Sequence, residues 1–526
     1  MLANRNQKNL STLIAILVAV FTTGYLRIYW IPFLPETDGG LYTAFSQYFF
    51  STLSNGELID SGYPVALYSL ITSWVYGLEV NQFIALRWID LCLAITASIL
   101  FFKVIENESG SIFFSTVVVS TVLIVMNNYS FILFGFRNSI WAAYVPLFLA
   151  LLISQSINNK NHFLFYMIGA AAAFGVLLRE PFLFFYLTGL IAIFFAYGWK
   201  PFSKFLIGSA ILGFTTLYIL IMLRGEGGLQ TIIDAYIGQS GAIRDLAEEL
   251  LISNFFKHSI IAIKAYWFGI ILSIISAMYI FKLNSKDRKL VSINRFFFWL
   301  ALALVPIIEP ISKLGFDYHF INCLPGLAGI SALCWKYVSL NESKIVKNYV
   351  MGVILMLFVF GAYPNLSRTL NINVYNKESP VSHAYNSLLK NNYTEIETIR
   401  LSNYLIAADM IKQLSNKDST LALAGFAEVL YPLTGLLPAS FETMNLRTAY
   451  LNLNWNEDKL VDLLKKVKPT IIFPTKQELP RMQDLTQAIA RTNLYERVAI
   501  VSYSPDVYYK SIYGDIYRLK SFRERR

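Results

Sequence analysis

Long apolar stretches recur along the first two thirds of this chain, and they restrict its fold more than any other feature. A helix needs ~20 apolar residues to cross the ~30 Å hydrocarbon layer of a membrane. About eleven stretches approach that length, near residues 12–31, 86–104, 110–127, 138–156, 162–178, 182–198, 204–223, 259–281, 295–312, 318–337 and 347–363. The sequence therefore predicts a polytopic α-helical membrane protein.

The composition agrees with a chain embedded in a bilayer. Hydrophobic residues make up 55% of it and charged residues only 15%, whereas soluble domains average about 25% charged residues. The net charge of +10 would suggest nucleic acid in a soluble protein, but here the basic residues must first be placed relative to the membrane, and we expect no nucleic-acid partner. Three cysteines lie in apolar segments without metal-ligand spacing, which predicts no disulfide framework.

Basic residues set the predicted orientation. Arg5 and Lys8 precede the first span, which makes the N-terminus cytoplasmic, and this span is too long for a signal peptide. An odd number of spans then places the C-terminal region outside, and its lack of disulfides favours a bacterial inner membrane. The loops predicted to be cytoplasmic carry Lys160, Lys200, Lys282, Lys286, Arg288, Lys289 and Lys344.

The segment 35–85 interrupts the alternation of spans and short loops. Its aromatic-rich parts, 41–53 and 65–76, predict two short helices that lie along the outer membrane interface. In the alternative, 65–82 is an ordinary span, which would invert every later loop and spoil the distribution of basic residues.

From about residue 364 the composition becomes that of a soluble domain. Residues 419–425 and 470–473 predict buried strands, and 458–467 has the periodicity of a helix. We therefore predict a transmembrane domain over 1–363 and a small extracytoplasmic α/β domain over 364–526. The second domain lacks a G-x-G-x-x-G motif, so it does not predict a nucleotide site.

Two carboxylates, Glu36 and Asp38, directly follow the first predicted span. An acid at a membrane boundary is costly to desolvate and is typically functional. The alternative for Asp38 is a turn-forming residue before two glycines.

The residues around Asp38 resemble a known superfamily. Pro35-x-x-Asp38-x-x-x-Tyr42 is followed by Gly56, by Gly62-Tyr63-Pro64, by an aromatic-rich segment that ends at Gly77, and by Arg87 at the start of the second span. This order resembles the first outer loop of the GT-C membrane glycosyltransferases, in the branch with the protein O-mannosyltransferases and the lipid A aminoarabinose transferase. The resemblance implies many spans, an active site on the outer face and a soluble C-terminal domain.

By this resemblance, Asp38 falls on the catalytic aspartate of those enzymes. The implied activity is transfer of a hexose or pentose from a polyprenyl-phosphate donor to an extracytoplasmic lipid, glycan or protein acceptor. The attacking hydroxyl or amine needs a general base, while a lipid phosphate departs without a protonating acid. One carboxylate therefore suffices, and the anomeric carbon is inverted.

Other candidate substrate contacts come from the same predicted face. Glu36, Tyr42, Tyr63 and Arg87 belong to the first loop. Further along the chain, basic and hydroxyl-bearing residues at predicted span ends suit a leaving phosphate, although interfacial anchors and structural ion pairs are the alternative for each. These further candidates are Arg137, Arg179, Lys264, Tyr318 and His319. For Glu180, next to Arg179, two roles stay open: a structural ion pair with Arg179 or a contact that orients the sugar.

The chain also departs from the superfamily's pattern. The aminoarabinose branch has a lysine where this chain has Tyr63, which removes one expected phosphate contact, and the mannosyltransferase branch has Asp-Glu where this chain has Asp38-Gly39. The Glu36-x-Asp38 spacing leaves a divalent ion with oxygen ligands open. Without a second acidic motif at a comparable position, we expect a metal-independent mechanism with no cofactor.

Two other functions stay open from the residues alone. A lipid-linked oligosaccharide flippase would show paired internal repeats around a midplane site, and the sequence shows no clear repeat. An O-antigen ligase or a polysaccharide polymerase would carry a large outer loop between late spans, whereas here the largest soluble segment is terminal.

Overall fold

A computed structural model describes residues 2–28, 31, 38–59, 67–78, 82–127, 139–157, 161–230, 232–233, 251–282, 293–308, 317–370, 403–425, 427–440, 442–446, 456–475, 482–502 and 512–522. Within these residues the fold is mostly helical, with one small β-sheet near the C-terminus.

Each predicted apolar stretch coincides with a described helix. The helices are α1 (Leu2–Ile28), α4 (Gln82–Ser109), α5 (Ile112–Met126), α6 (Ser139–Gln155), α7 (Leu164–Leu178), α8 (Leu183–Tyr197), α9 (Trp199–Met222), α10 (Leu251–Lys282), α11 (Ile293–Leu304), α12 (Leu324–Asn341) and α13 (Lys344–Leu370).

Six described segments are long and apolar enough to cross a membrane, and they lie in α1, α4, α8, α9, α12 and α13. Shorter apolar segments of 10–17 residues lie in the other five helices. The polytopic helical architecture is thus confirmed, while the number of eleven spans stays a prediction.

The first helix shows how the bundle faces its surroundings. On α1, Leu17 and Phe21 are exposed, whereas Ala19, Thr23 and Arg27 are buried against other helices. Large apolar side chains outside, with small and polar ones inside, are expected for a helix that faces lipid rather than water. The side-chain distribution therefore agrees with an integral membrane protein.

Two short helices fill the segment between α1 and α4. They are α2 (Asp38–Ser54) and α3 (Leu67–Thr72), and α3 continues as a 3₁₀ helix over Ser73–Gly77. The described helical part, 67–77, is shorter than the ~20 residues that a membrane span needs. Residues 65–66 and 79–81 lie outside the described part of the chain, so the alternative of a span over 65–82 stays untested. The two helices are joined by hydroxyl groups, since Ser69 Oγ donates to the Tyr42 carbonyl at 2.9 Å.

The C-terminal residues form a sheet with strand order β2-β1-β3-β5-β4. β1 (Thr420–Ala424) runs parallel to β2 (Leu437–Pro438) and β3 (Ile471–Pro474), and β5 (Gly514–Leu519) is antiparallel to β3 and β4 (Tyr495–Val501). The accompanying helices are α14 (Asn403–Gln413), α15 (Leu430–Thr434), α16 (Glu457–Val467) and α17 (Met482–Thr492). The two strands and the helix predicted from the sequence are thereby confirmed as β1, β3 and α16.

The C-terminal unit packs against the first-loop helix. Gln47 Nε2 on α2 donates to the Leu436 carbonyl at 3.3 Å, and α2 contacts both α15 and β2. Phe45 of α2 and Leu430 of α15 belong to one continuous apolar core. Helix α13 extends past position 363 to Leu370, and the division into domains at that position stays a prediction.

Helices α7 and α9 approach each other through a pair of glycines. A methyl group at Gly169 would overlap the Phe205 carbonyl, and one at Gly208 would overlap the Tyr166 carbonyl. Ser209 Oγ donates to the Gly169 carbonyl at 2.9 Å across the same contact. Backbone proximity of this kind is a common way for apolar helices to associate.

We expect Gly169→Ala to lower the free energy of unfolding by ~1–3 kcal/mol, because the added methyl forces α7 and α9 apart. Gly213→Ala is the matched control, since a methyl group at that position of α9 meets open space. Alanine there should be neutral or stabilising by up to ~1 kcal/mol. Thermal unfolding of the purified full-length variants in detergent, followed by tryptophan fluorescence, measures both; equal midpoints would contradict the close packing.

Candidate functional site

Polar side chains collect at one end of the helix bundle, which we call the Asp90 end. Here the C-terminal turn of α1 and the end of α5 meet the first turns of α4 and α6, as the contacts of Arg27 show. On α4, Glu108 lies in the last turn, toward the opposite end of the bundle, ~27 Å from Asp90 at 1.5 Å per residue.

A buried ion pair lies at the centre of the Asp90 end. Arg27 and Asp90 are 4% and 0% exposed, and the guanidinium of Arg27 pairs with the Asp90 carboxylate. Arg27 Nη1 also donates to Asn127 Oδ1 at 3.3 Å, and its guanidinium carbon lies 5.7 Å from the centre of the Trp141 ring. Charges removed from water require such partners, because an uncompensated buried charge costs several kcal/mol. The pair thus ties α1, α4, α5 and α6 together.

Two of the sequence candidates, Tyr42 and Arg87, are buried near this pair. The ring of Tyr42 lies edge-on to Tyr68, with centroids 6.4 Å apart. Burial raises the pKa of the Tyr68 phenol, and the charges of Arg27 and Arg87, which lie within electrostatic range, lower it only in part. The phenol therefore stays protonated at neutral pH.

Arg179, another sequence candidate, follows the last residue of α7. It is 3% exposed, and its extended backbone ends the helix before a short 3₁₀ turn that starts with the half-buried Glu180. Helix α7 also contacts α3, which carries Tyr68. The end of α7 thereby brings a third arginine to the α3 side of the bundle.

Tyr144 connects the start of α6 to the segment that precedes α12. Its hydroxyl donates to Asn322 Oδ1 at 2.7 Å, and its ring packs edge-on against Phe182 with centroids 4.8 Å apart. Asn322 belongs to a 3₁₀ helix over Asp317–Cys323, whose backbone also includes Tyr318 and His319. The side chains of these two candidates lie outside the described residues.

The remaining candidates are only partly covered by the structure. Asp38 is the first residue of α2, one helical turn before Tyr42, and its side chain is outside the described part of the chain. Glu36, Tyr63 and Arg137 lie outside it altogether. Lys264 is exposed on α10 rather than buried with the arginines.

Sequence reasoning missed Arg27, Tyr68 and Asp90 as members of this cluster. Their signal was nonetheless present, because an ionisable residue inside an apolar stretch is expensive and usually functional or paired. Arg27 ends the first predicted span, and Asp90 lies near the start of the second. Without a fold, however, nothing in the sequence brings residues of different spans together.

The structure bears on a possible metal centre only where it describes the side chains. Those residues contain no group of three or more His, Cys, Asp or Glu side chains that could hold a metal ion. Because the side chains of Glu36 and Asp38 are not among them, the metal-independent mechanism stays a prediction.

No protein-family profile and no curated protein sequence matches this chain. Among solved structures, it is similar over 97% of its length to the archaeal oligosaccharyltransferase AglB from Archaeoglobus fulgidus in complex with an inhibitory peptide and a dolichol-phosphate, covering 74% of that chain at 12% identity and a TM-score of 0.46. It is similar over 98% of its length to the arabinofuranosyltransferase AftD from Mycobacteria, of which it covers 40%, at 12% identity and a TM-score of 0.46.

A third similar structure is ArnT from Cupriavidus metallidurans in the apo state, with 98% of both chains covered, 11% identity and a TM-score of 0.37. All three are GT-C glycosyltransferases, the superfamily that the first-loop residues of this chain resemble. Because the TM-scores are below 0.5, these similarities indicate nothing about the donor, the acceptor or the mechanism. Any proposal about those three depends on the residues of this chain.

The ion pair at the Asp90 end leads to a prediction about the free energy of unfolding. We expect Asp90→Leu to lower the free energy of unfolding by ~3–5 kcal/mol, since Arg27 becomes an uncompensated buried charge. The double variant Arg27→Met/Asp90→Leu should recover most of that loss, because it buries apolar groups instead. Thermal unfolding in detergent measures both. A double variant as unstable as the single one would show that the pair is not what makes Asp90→Leu costly.

Proposed function

We propose that this protein is a membrane glycosyltransferase that moves a sugar from a polyprenyl-phosphate-linked donor to an extracytoplasmic acceptor. The observation that carries the proposal is the cluster at the Asp90 end: Tyr42, on the helix that begins with Asp38, packs edge-on against Tyr68, and the Tyr68 phenol lies within electrostatic range of Arg27 and Arg87. Guanidinium groups and a protonated phenol are donors suited to a phosphate.

The reaction that fits this cluster is a single displacement. Asp38 accepts the proton of the acceptor hydroxyl or amine as that group attacks the anomeric carbon. The bond between this carbon and the phosphate oxygen breaks, the electron pair leaves with the lipid phosphate, and the configuration is inverted. Because negative charge grows on the phosphate in the transition state, preorganised donors lower the barrier most at that position.

Arg87 is the proposed phosphate contact that the structure supports best. It is buried near the start of α4, one turn before Asp90, and, like Arg27, it lies within electrostatic range of the Tyr68 phenol. Asp90 holds Arg27 in place through their ion pair, so we assign Arg27 a positioning role and Arg87 a direct one. Arg179 is a further candidate contact for the same phosphate.

The proposed orientation places the Asp90 end at the extracytoplasmic surface of a bacterial inner membrane. The first turns of α1 contain the basic residues Arg5 and Lys8, which favour the cytoplasm, so Arg27 in its last turn would lie at the other surface. The C-terminal unit packs on α2 and would therefore sit outside, above the proposed site. A lipid, glycan or protein acceptor would approach between this unit and the bundle.

The first test of this function is Asp38→Asn. We expect it to abolish sugar transfer while leaving expression and membrane insertion unchanged, because an amide cannot accept the acceptor proton. Lipid-linked sugars from cells that carry the variant should then show the same accumulated monosaccharide polyprenyl phosphate as cells without the protein.

The matched control is Asp409→Asn, which makes the same chemical change at an exposed position of α14. It should leave the lipid-linked sugars as in wild type. Full transfer by Asp38→Asn would refute the single-base mechanism. Accumulation of an oligosaccharide carrier, rescued by the variant, would instead indicate a flippase or a ligase.

A second test is Arg87→Gln. Removing one donor from the leaving phosphate should lower kcat by about a hundredfold, in the range seen for single donors to a developing oxyanion. We expect the fold to survive, since the change removes a positive charge that lies within electrostatic range of the Arg27 guanidinium. Steady-state kinetics with a synthetic polyprenyl-phosphate sugar, alongside Arg491→Gln at an exposed position, measure this; an unchanged kcat would exclude Arg87 as a phosphate contact.

A further inference from the structure

A cavity lies toward the Glu108 end of the bundle, among α4, α6, α7, α8, α9 and α11. Its volume is about 460 Å³, within the ~300–1,000 Å³ typical of small-molecule sites. Along α8 its lining runs from Phe185 to Tyr197, a span of ~18 Å at 1.5 Å per residue. We call this cavity the slot.

Small side chains keep this slot open. Helix α8 contributes Gly189, Ala192 and Ala196 at intervals of three and four residues, which puts them on one face. Ala150 of α6 and Ala172 of α7 line it from the other side. This stretch of the wall between α6, α7 and α8 is thus apolar, whereas the polar lining residues include Gln155, Asn294 and Arg295.

One end of the slot is polar and positively charged. The Glu108 carboxylate is 1% exposed, pairs with Arg295 and accepts a hydrogen bond from Gln155 Nε2 at 3.1 Å. Lys336 of α12 also lies within electrostatic range of it. Among the described residues, two cations therefore face one carboxylate, and the Arg295 side chain remains 41% exposed.

We propose that this slot binds one acyl chain of an anionic membrane phospholipid, with the lipid phosphate at Arg295. An apolar slot with a basic polar end among membrane helices matches a phospholipid in both shape and charge. The position of the polar end supports a lipid of the leaflet at the Glu108 end of the bundle. This site is distinct from the proposed sugar-transfer site, since Glu108 and Asp90 occupy opposite ends of α4.

The proposal is independent of the sugar-transfer function. A lipid that binds only the folded bundle stabilises it by mass action. It would also fill the space between α6 and α8, whose side chains otherwise leave a void in the apolar layer. The slot is thus a structural lipid site, whatever the protein transfers.

The test uses the full-length protein in nanodiscs that contain phosphatidylglycerol with a photoreactive diazirine at the end of one acyl chain. After irradiation, mass spectrometry of peptides should place the label on the slot-lining parts of α6 and α8. In Gly189→Leu the new side chain fills the slot, and labelling there should fall about tenfold, as expected for the loss of contacts with roughly two methylene groups.

Gly213→Leu is the matched control. Both glycines lie within helices and have open space around the position of a Cβ atom, but Gly189 lines the slot and Gly213 does not. Wild-type labelling in Gly213→Leu, with the tenfold loss in Gly189→Leu, supports the proposal. Equal labelling in the two leucine variants overturns it.

The head-group contact is tested separately with Glu108→Gln/Arg295→Gln, which removes both charges and leaves no lone buried ion. We expect this variant to bind phosphatidylglycerol more weakly than wild type and no better than phosphatidylethanolamine. In wild type, unlabelled phosphatidylglycerol should compete with the probe, whereas glycerol 3-phosphate alone should not. Competition by glycerol 3-phosphate would show that the site recognises a free phosphate and overturn the acyl-chain assignment.

Discussion

The pairing of Arg27 with Asp90 is the interaction on which the rest of the proposed site depends. Neither charge is tolerable alone in an apolar bundle, so each fixes the position of the other and of the helix that carries it. Asn127 and Trp141 complete the surroundings of Arg27 and add two more helices to the same contact. A cluster assembled in this way is rigid before any substrate arrives, which is the condition for effective electrostatic stabilisation.

Helix α2 connects this cluster to the C-terminal unit. Its first turn holds Asp38 and Tyr42, and its later part packs against α15 and β2 through a shared core and the Gln47 hydrogen bond. The helix is therefore held from two sides, by α3 and by the C-terminal unit. The contacts of the C-terminal unit thus fall on the same helix that begins with the proposed base, Asp38.

The sequence was sufficient to predict elements that depend on local composition. Apolar stretches predicted the helices of the bundle. Continuous apolar runs predicted β1 and β3, since these two strands are buried on both faces. β4 and β5 went unpredicted because neither is a continuous buried run: in β4 only the two ends, Tyr495 and Val501, are buried, and the second half of β5 is half-buried. The ion pair was not predicted either, since only tertiary packing brings Arg27 and Asp90 together. The resemblance to GT-C enzymes did identify Tyr42 and Arg87 as candidates.

The two ends of α4 use buried carboxylates in different ways. Asp90 is fully enclosed and its partner Arg27 is 4% exposed, whereas Glu108 pairs with an Arg295 side chain that remains 41% exposed. A fully enclosed pair serves to fix geometry, because exchanging its partner would require opening the bundle. A half-exposed arginine can stay paired with its carboxylate partner and still bind an anion from outside. The same chemical pair thus positions groups at one end of the helix and leaves a binding surface at the other.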